Sequence, residues 1–320
     1  MRFGLSLPHY GFSLPHGEPV GFAGVAGWAR RAEDLGFDSV WVSDHLFYSF
    51  GRYGADATPI GSLEPMTTLA GLASVTDRVR LGTLVLCAPF RHPALLAKSA
   101  ATIDVVSGGR LDLGLGAGWL EDEFSAFGLP FGTVGERFST LETTTRTLAS
   151  MFDGHGRLSP PPVQAPIPLW VGGRGGPRLL RLAASRARGW NVVWRMSPDA
   201  YAAKVADVHA ACETAGRDPS TFGLSVGLYG LNGDDEDQAR SAFERGRAAF
   251  PGGAMAAERW ESWRADTLSG SPEQILERIG AFEALGVHEL VLSPWVLPFA
   301  IHEPDQVERF AERVIAPLRA

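Results

Sequence analysis

Eight short β-rich apolar runs, each followed by a longer stretch of helical periodicity, with no linker-like break in 320 residues, predict one closed (β/α)8 TIM barrel over residues 1–320. Such alternation needs parallel strands joined by crossover helices. The strands are expected at 3–7, 39–42, 79–85, 111–115, 169–171, 190–193, 224–230 and 289–292. Helical patterns fall at 22–35, 66–75, 94–106, 136–151, 178–184, 198–214, 236–250 and 275–285, with a last one at 305–318. Two helix ends carry a glycine stop before the next strand, Leu35-Gly36-Phe37 and Leu285-Gly286-Val287. Two connections are too long for plain turns: 44–65 after strand two and 116–135 after strand four; another irregular region, 251–272, interrupts the seventh crossover with a short helical pattern at 256–263, and the sequence does not choose whether it is a lid or a flap. The first two follow strand C-termini, where a barrel builds its active site.

Composition excludes several classes. Hydrophobic residues are 45%, charged residues 20% and the net charge is -7, so no field attracts nucleic acid or an anionic membrane. Cys87 and Cys212 are the only cysteines, which offers neither a disulfide framework nor a cysteine-rich metal site and fits a reducing cytoplasm. Met1 to Pro8 goes straight into a strand pattern, without the basic and long apolar regions of a signal peptide. The most apolar late run, 290–301, is broken by Pro294 and Pro298, which argues against a membrane span. No metal is expected, and there is no P-loop, nucleophile elbow, His-Glu-x-x-His or dinucleotide glycine motif after the first strand.

The stretch Leu169-Trp170-Val171-Gly172-Gly173-Arg174-Gly175-Gly176-Pro177-Arg178 runs from strand through glycines into a helix. Its backbone N–H groups, the helix dipole, Arg174 and Arg178 suit a phosphate. It equally suits a tight connection with solvated arginines. Gly114-Leu115-Gly116-Ala117-Gly118-Trp119, ending strand four, would admit a flat ring, or simply close strand–helix packing. Asp44 and His45 leave strand two at the rim, and histidine is the side chain whose proton moves near neutral pH; a turn aspartate and a loop-bonded histidine are the plain alternative. Phe47, Tyr48, Phe50 and Tyr53 make the following loop aromatic, for a ligand or for its own packing. His9, Tyr10 and Trp295 are rim residues that could face a substrate. Arg91-His92-Pro93 puts basic charge at the wrong end of a helix and asks for an anionic partner, internal or bound. Glu121, Asp122 and Glu123 read as a solvated face.

Ser43-Asp44-His45, "EPMTTLAGLASVTDRVRLGT", "FRHPALLAKSAATIDVVSGGRLDLGLGAGW", "PLWVGGRGGPRLLRLAA" and "GSPEQILERIGAFEALGVHELVLSP" are long, ordered and correctly spaced. Together they resemble the bacterial luciferase-like flavin and deazaflavin oxidoreductases, closest to the branch that uses coenzyme F420, a deazaflavin with a phosphate-bearing tail. The resemblance implies His45 as proton donor or acceptor and Asp44 as a cofactor contact. It implies that Thr83, Leu84 and Val85 meet the ring, with a non-proline cis peptide between Leu84 and Val85. It implies Gly116 and Gly118 beside the ring, and Gly172, Gly173, Arg174, Gly175, Gly176 and Arg178 around the phosphate. Relatives similar in wording that oxidise sugar phosphates carry a glutamate where Trp119 stands here; Trp119 cannot act as an acid, so a more apolar substrate is expected, with Trp119 as a wall. The resemblance also implies a homodimer.

The expected activity is hydride transfer between F420 and a small organic substrate. An FMN-dependent monooxygenase using reduced flavin and oxygen, and a non-catalytic flavin or deazaflavin carrier, stand as alternatives.

Overall fold

The computed structural model describes residues 1–15, 20–154 and 158–319. Eight parallel strands form the barrel: β1 (Arg2–Ser6), β2 (Ser39–Val42), β3 (Arg80–Thr83), β4 (Leu111–Gly116), β5 (Leu169–Gly172), β6 (Gly189–Trp194), β7 (Gly223–Tyr229) and β8 (Glu289–Ser293). Each pairs with its sequence neighbour, and β1 pairs with β8, so the sheet has no free edge. In register, Leu5 lies beside both Val40 and Leu292.

The long apolar run expected as strand three is broken. The Thr83 hydroxyl donates to the Gly114 carbonyl at 2.9 Å and accepts the Gly114 N–H at 2.8 Å, standing in for the backbone ladder. The main chain then bulges through a cis Leu84–Val85 peptide and rejoins β4 only at Leu86–Cys87. A second non-proline cis peptide, Val193–Trp194, closes β6.

Helices cover the barrel where the periodicity predicts them, but six open on a proline: Pro65–Ala73, Pro93–Val106, Pro177–Arg186, Pro198–Thr214, Pro272–Ala284 and Pro304–Phe310. A first helical residue needs no N–H, so proline fits there and most of these helices start ahead of the apolar pattern. Val134–Met151 begins early because Thr133 and Glu136 close a capping box. The last helix continues through a π-turn at Ala311–Ile315 to Arg319. The pattern expected at 256–263 forms one turn later, as Trp260–Ala265. The connection after β2 folds on itself as an antiparallel pair, Phe47–Tyr48 with Ile60–Gly61, and the one after β4 contains a short helix, Glu121–Ala126.

The main apolar core fills the space between strands and helices. A second, aromatic cluster lies at the C-terminal end and includes Tyr10, Tyr48, Phe50, Trp260, Trp263 and Phe299. Among the described residues, no helix is long and apolar enough to cross a membrane.

Candidate active site

The C-terminal ends of the strands surround a cavity of about 670 Å³. Leu84 and Val85, just past β3, border it between the ends of β4 and β5. A Cβ on Gly116 or Gly172 would come within 2.7 or 2.6 Å of a Val85 methyl, so both positions must be glycine for the bulge to sit there. Tyr10, Tyr48, Gly118, Trp119, Trp194, Tyr229 and Phe299 supply the other walls, mostly aromatic.

His45 enters this cavity from the end of β2. Its Nδ1 donates to Glu123 Oε1 at 2.6 Å, and Glu123 Oε2 accepts the Leu46 N–H at 2.5 Å. An ionised carboxylate only accepts, so Nδ1 carries the proton and Nε2 is the atom able to take one up or release it. Nε2 has no partner among the described residues. Trp119 and Tyr48 stand edge-on to the ring at 5.6 Å each, which fixes its plane.

Asp44 also borders the cavity, but its oxygens are occupied. Arg91 Nη2 donates to Oδ1 at 2.9 Å, Nη1 donates to Oδ2, and the Cys87 N–H donates to Oδ2 at 2.8 Å. Burial pushes this carboxyl up, opposed by the guanidinium and the N–H. Burial alone would lower Arg91; Asp44 and Glu64 instead raise it, Glu64 Oε1 accepting from Nη2 at 2.5 Å. The anionic partner sought for Arg91 is therefore internal.

Four of the sequence expectations are corrected by position. Glu123 is not on a solvated face: its side chain is 2% exposed. One helical turn sends Glu123 and Phe124 inward and leaves Glu121 and Asp122 outside. His9 is a core histidine off the cavity, its Nδ1 2.9 Å from the Leu7 carbonyl and its Nε2 3.2 Å from that of Ser43. Burial lowers its pKa to about 4, so it is neutral at neutral pH. Trp295 is buried against His302, ring centroids 5.2 Å apart, because the chain beyond β8 instead turns Pro298 and Phe299 into the mouth. Thr83 is tied to Gly114 and does not line the cavity.

The glycine turn after β5 divides. Gly172, Gly173 and Arg174 line the cavity; Gly175, Gly176 and Arg178 do not. The Gly173 N–H donates to the Asn191 carbonyl at 3.0 Å, and its own carbonyl accepts Trp190 Nε1 at 2.8 Å, so this part is a packed connection. Arg178 turns outward, Nε and Nη2 donating to the Glu142 carboxylate at 2.7 and 2.8 Å. Arg174 remains exposed, with no ion-pair partner among the described residues.

Among the wall residues that escape sequence reasoning are Glu123, Phe299 and Arg52, whose guanidinium lies 4.4 Å from the Trp119 ring centroid. An acidic run facing a strand-two histidine from the next long rim loop was the available signal for Glu123. Nothing in the local sequence marks the other two.

The chain is similar to known proteins in sequence and in fold. Residues 1–289 match the luciferase-like monooxygenase family. The FMNH2-dependent dimethylsulfone monooxygenase of Pseudomonas putida is 29% identical across 91% of this chain and 86% of its own. The F420-dependent hydroxymycolic acid dehydrogenase of Mycobacterium tuberculosis is 33% identical across 67% of this chain and 60% of its own. The fold of the coenzyme F420-dependent tetrahydromethanopterin reductase of Methanopyrus kandleri superposes with a TM-score of 0.75 over 99% of both chains at 21% identity. A closed barrel, a histidine-bearing aromatic cavity at its C-terminal rim and a match over nine-tenths of the sequence lead to one assignment: the chain belongs to the luciferase-like monooxygenase family of oxidoreductases.

Proposed function

We propose that this protein is an F420-dependent oxidoreductase that transfers hydride between the deazaflavin and a small, largely apolar organic substrate. The observation that carries this reading is the His45–Glu123 pair on the cavity wall, with Nε2 of His45 unpartnered among the described residues. When bound, the deazaflavin supplies the hydride chemistry. Leu84, Val85, Gly116 and Gly172 would accept its flat ring: the glycines keep the backbone low and the Val85 methyls face the same space. Arg174, exposed and unpaired beside Gly172 and Gly173, would meet the phosphate.

Hydride transfer to or from a carbonyl carbon needs a proton on the oxygen, and His45 Nε2 would give or take it. Glu123 would hold the imidazole in one tautomer through its bond to Nδ1. Trp119, Tyr48 and Phe299 exclude water and select an apolar partner. An FMN-dependent monooxygenase is the second reading, favoured by the Pseudomonas putida relative matched over most of the chain.

The test is fluorescence titration of the purified protein with F420 and with FMN, each oxidised and reduced. Saturable F420 binding, with turnover on enones, imines or alcohols, is expected. Tight FMN binding without F420 binding overturns the first reading in favour of the second. Binding without turnover, unchanged by His45→Ala, would make the protein a carrier.

A further inference from the structure

Two carboxylates, Asp44 and Glu123, and two arginines, Arg52 and Arg174, line the cavity. Both carboxylates are occupied, Asp44 by Arg91 and the Cys87 N–H, Glu123 by His45 and the Leu46 N–H. Neither reaches ion-pair distance of Arg52 or Arg174. Arg174 follows β5 and Arg52 follows β2, three strands apart in the closed sheet, so the two cations stand at different parts of the mouth.

Arg52 has rings for partners. Its guanidinium carbon lies over Trp119 at 4.4 Å and over Tyr53 at 5.1 Å from the ring centroids. Rings meet the cation and leave its N–H fork without an acceptor. Asp56, the acid nearest in sequence, instead accepts the Thr58 N–H and hydroxyl at 3.0 and 2.8 Å. The position of Arg52 is built from both sides. It sits in a single helical turn, Gly51–Tyr53, closed by Gly54 in the left-handed region at φ 78°. Phe50 and Tyr53 of this turn pack against Phe250 of the seventh crossover, ring centroids 6.1 and 5.7 Å apart. A guanidinium already held against two rings loses little further freedom when an anion arrives.

Trp119 also sets the distance to His45. Its ring centroid is 5.6 Å from that of His45 and 4.4 Å from the Arg52 guanidinium carbon, and these two separations together hold the cation within about 10 Å of the imidazole. A hydrogen bond of about 3 Å at each end leaves room for a few carbon–carbon bonds between the groups that His45 and Arg52 would hold.

We propose that Arg52 is the specificity-determining residue of this cavity and that it selects a monoanionic acid: an apolar or aromatic body with a carboxylate on Arg52 and, a few bonds away, a carbonyl or carbinol at His45. The carbonyl's place at His45 rests on the hydride-transfer reading above, whereas recognition of the carboxylate by Arg52 does not. The guanidinium gives the carboxylate two parallel N–H bonds. The hydroxyls of Tyr48 and Tyr53 share one bond at 3.3 Å, which leaves one of their two protons for the same anion.

The experiment is isothermal titration of the full chain with 4-oxo-4-phenylbutanoate and with its primary amide, which differ in charge and hardly in shape, using wild type, R52Q, R52K and R174Q. Wild type should bind the acid roughly tenfold or more tighter than the amide, the scale of a charge-assisted hydrogen bond. R52Q should bring the two ligands within about twofold by weakening the acid alone, and R52K should restore part of the preference; an unchanged amide affinity shows that the cavity is intact. Equal affinity of wild type for acid and amide, no saturable binding of the acid, or a preference that survives in R52Q overturns the proposal. So does a preference lost in R174Q and kept in R52Q, which assigns the anion to Arg174. Kinetics with F420 test the two readings apart: R52Q should raise KM for the acid far more than it changes kcat. If F420 does not bind or the acid is not turned over, the hydride-transfer reading fails while the titrations still decide the role of Arg52.

Discussion

The two ends of the barrel both bury carboxylates, and they use them differently. At the N-terminal end, Glu289 accepts the Ser39 hydroxyl at 2.5 Å and Arg2 Nη2 at 2.6 Å, while Asp112 accepts Arg80 Nε at 2.5 Å and Trp170 Nε1 at 3.1 Å. These residues sit at the starts of six strands, and the groups that meet there satisfy one another. At the C-terminal end, Asp44 is saturated by Arg91 and Cys87, but Glu123 holds a histidine whose second nitrogen has no partner among the described residues. A closed network stabilises; one with an open valence at a cavity can do chemistry.

The comparison can be broken most directly at His45. His45→Ala should lower kcat by roughly 10²–10⁴, the usual worth of a positioned acid or base, with cofactor affinity changed only a few-fold; steady-state kinetics beside fluorescence titration checks this. Glu289→Ala, at the opposite end, should reduce stability by about 3–5 kcal/mol, because Arg2 and Ser39 lose a buried partner, while kcat of the folded protein stays within twofold. Urea unfolding with kinetics on the same samples measures both. A large kcat loss from Glu289→Ala would erase the distinction between the ends.

His9 sharpens the picture through pH. Its folded pKa of about 4 lies below the ordinary 6.5, so between those values the unfolded chain binds more protons. Its stabilisation is complete above about pH 6.5 and is lost as pH falls towards 4, by about 3 kcal/mol in total. Unfolding midpoints from pH 7.5 to 4.5 should fall more steeply for wild type than for His9→Gln. The smallest effect is expected from Glu123→Gln, which keeps the shape but removes the charge: kcat should fall on the order of tenfold, with cofactor affinity unchanged. An unchanged kcat would reduce Glu123 to a strap on its loop.

Much of this was legible in the chain. The strand and helix periods, the Gly36 and Gly286 stops, and the lengths of the two rim loops all correspond to elements of the structure. Asp44 and His45 were legible because they follow a strand directly, so their place at the rim depends on a few bonds of local chain. Glu123 was not, because its inward turn depends on a helix of six residues and on a histidine 78 positions away. Arg178 was misplaced for a similar reason: next to the glycines in sequence, it pairs across to Glu142 on the neighbouring helix.

The sequence by itself determined the barrel, since hydrophobic period and glycine punctuation act over a few residues and admit few architectures. It also determined which strand ends would carry polar groups. Only the tertiary structure decided which of those groups share a cavity, which acids are buried and which arginines find carboxylates. Those outcomes depend on side chains brought together from different crossovers, whose approach is set by packing between elements rather than by the pattern within any one of them.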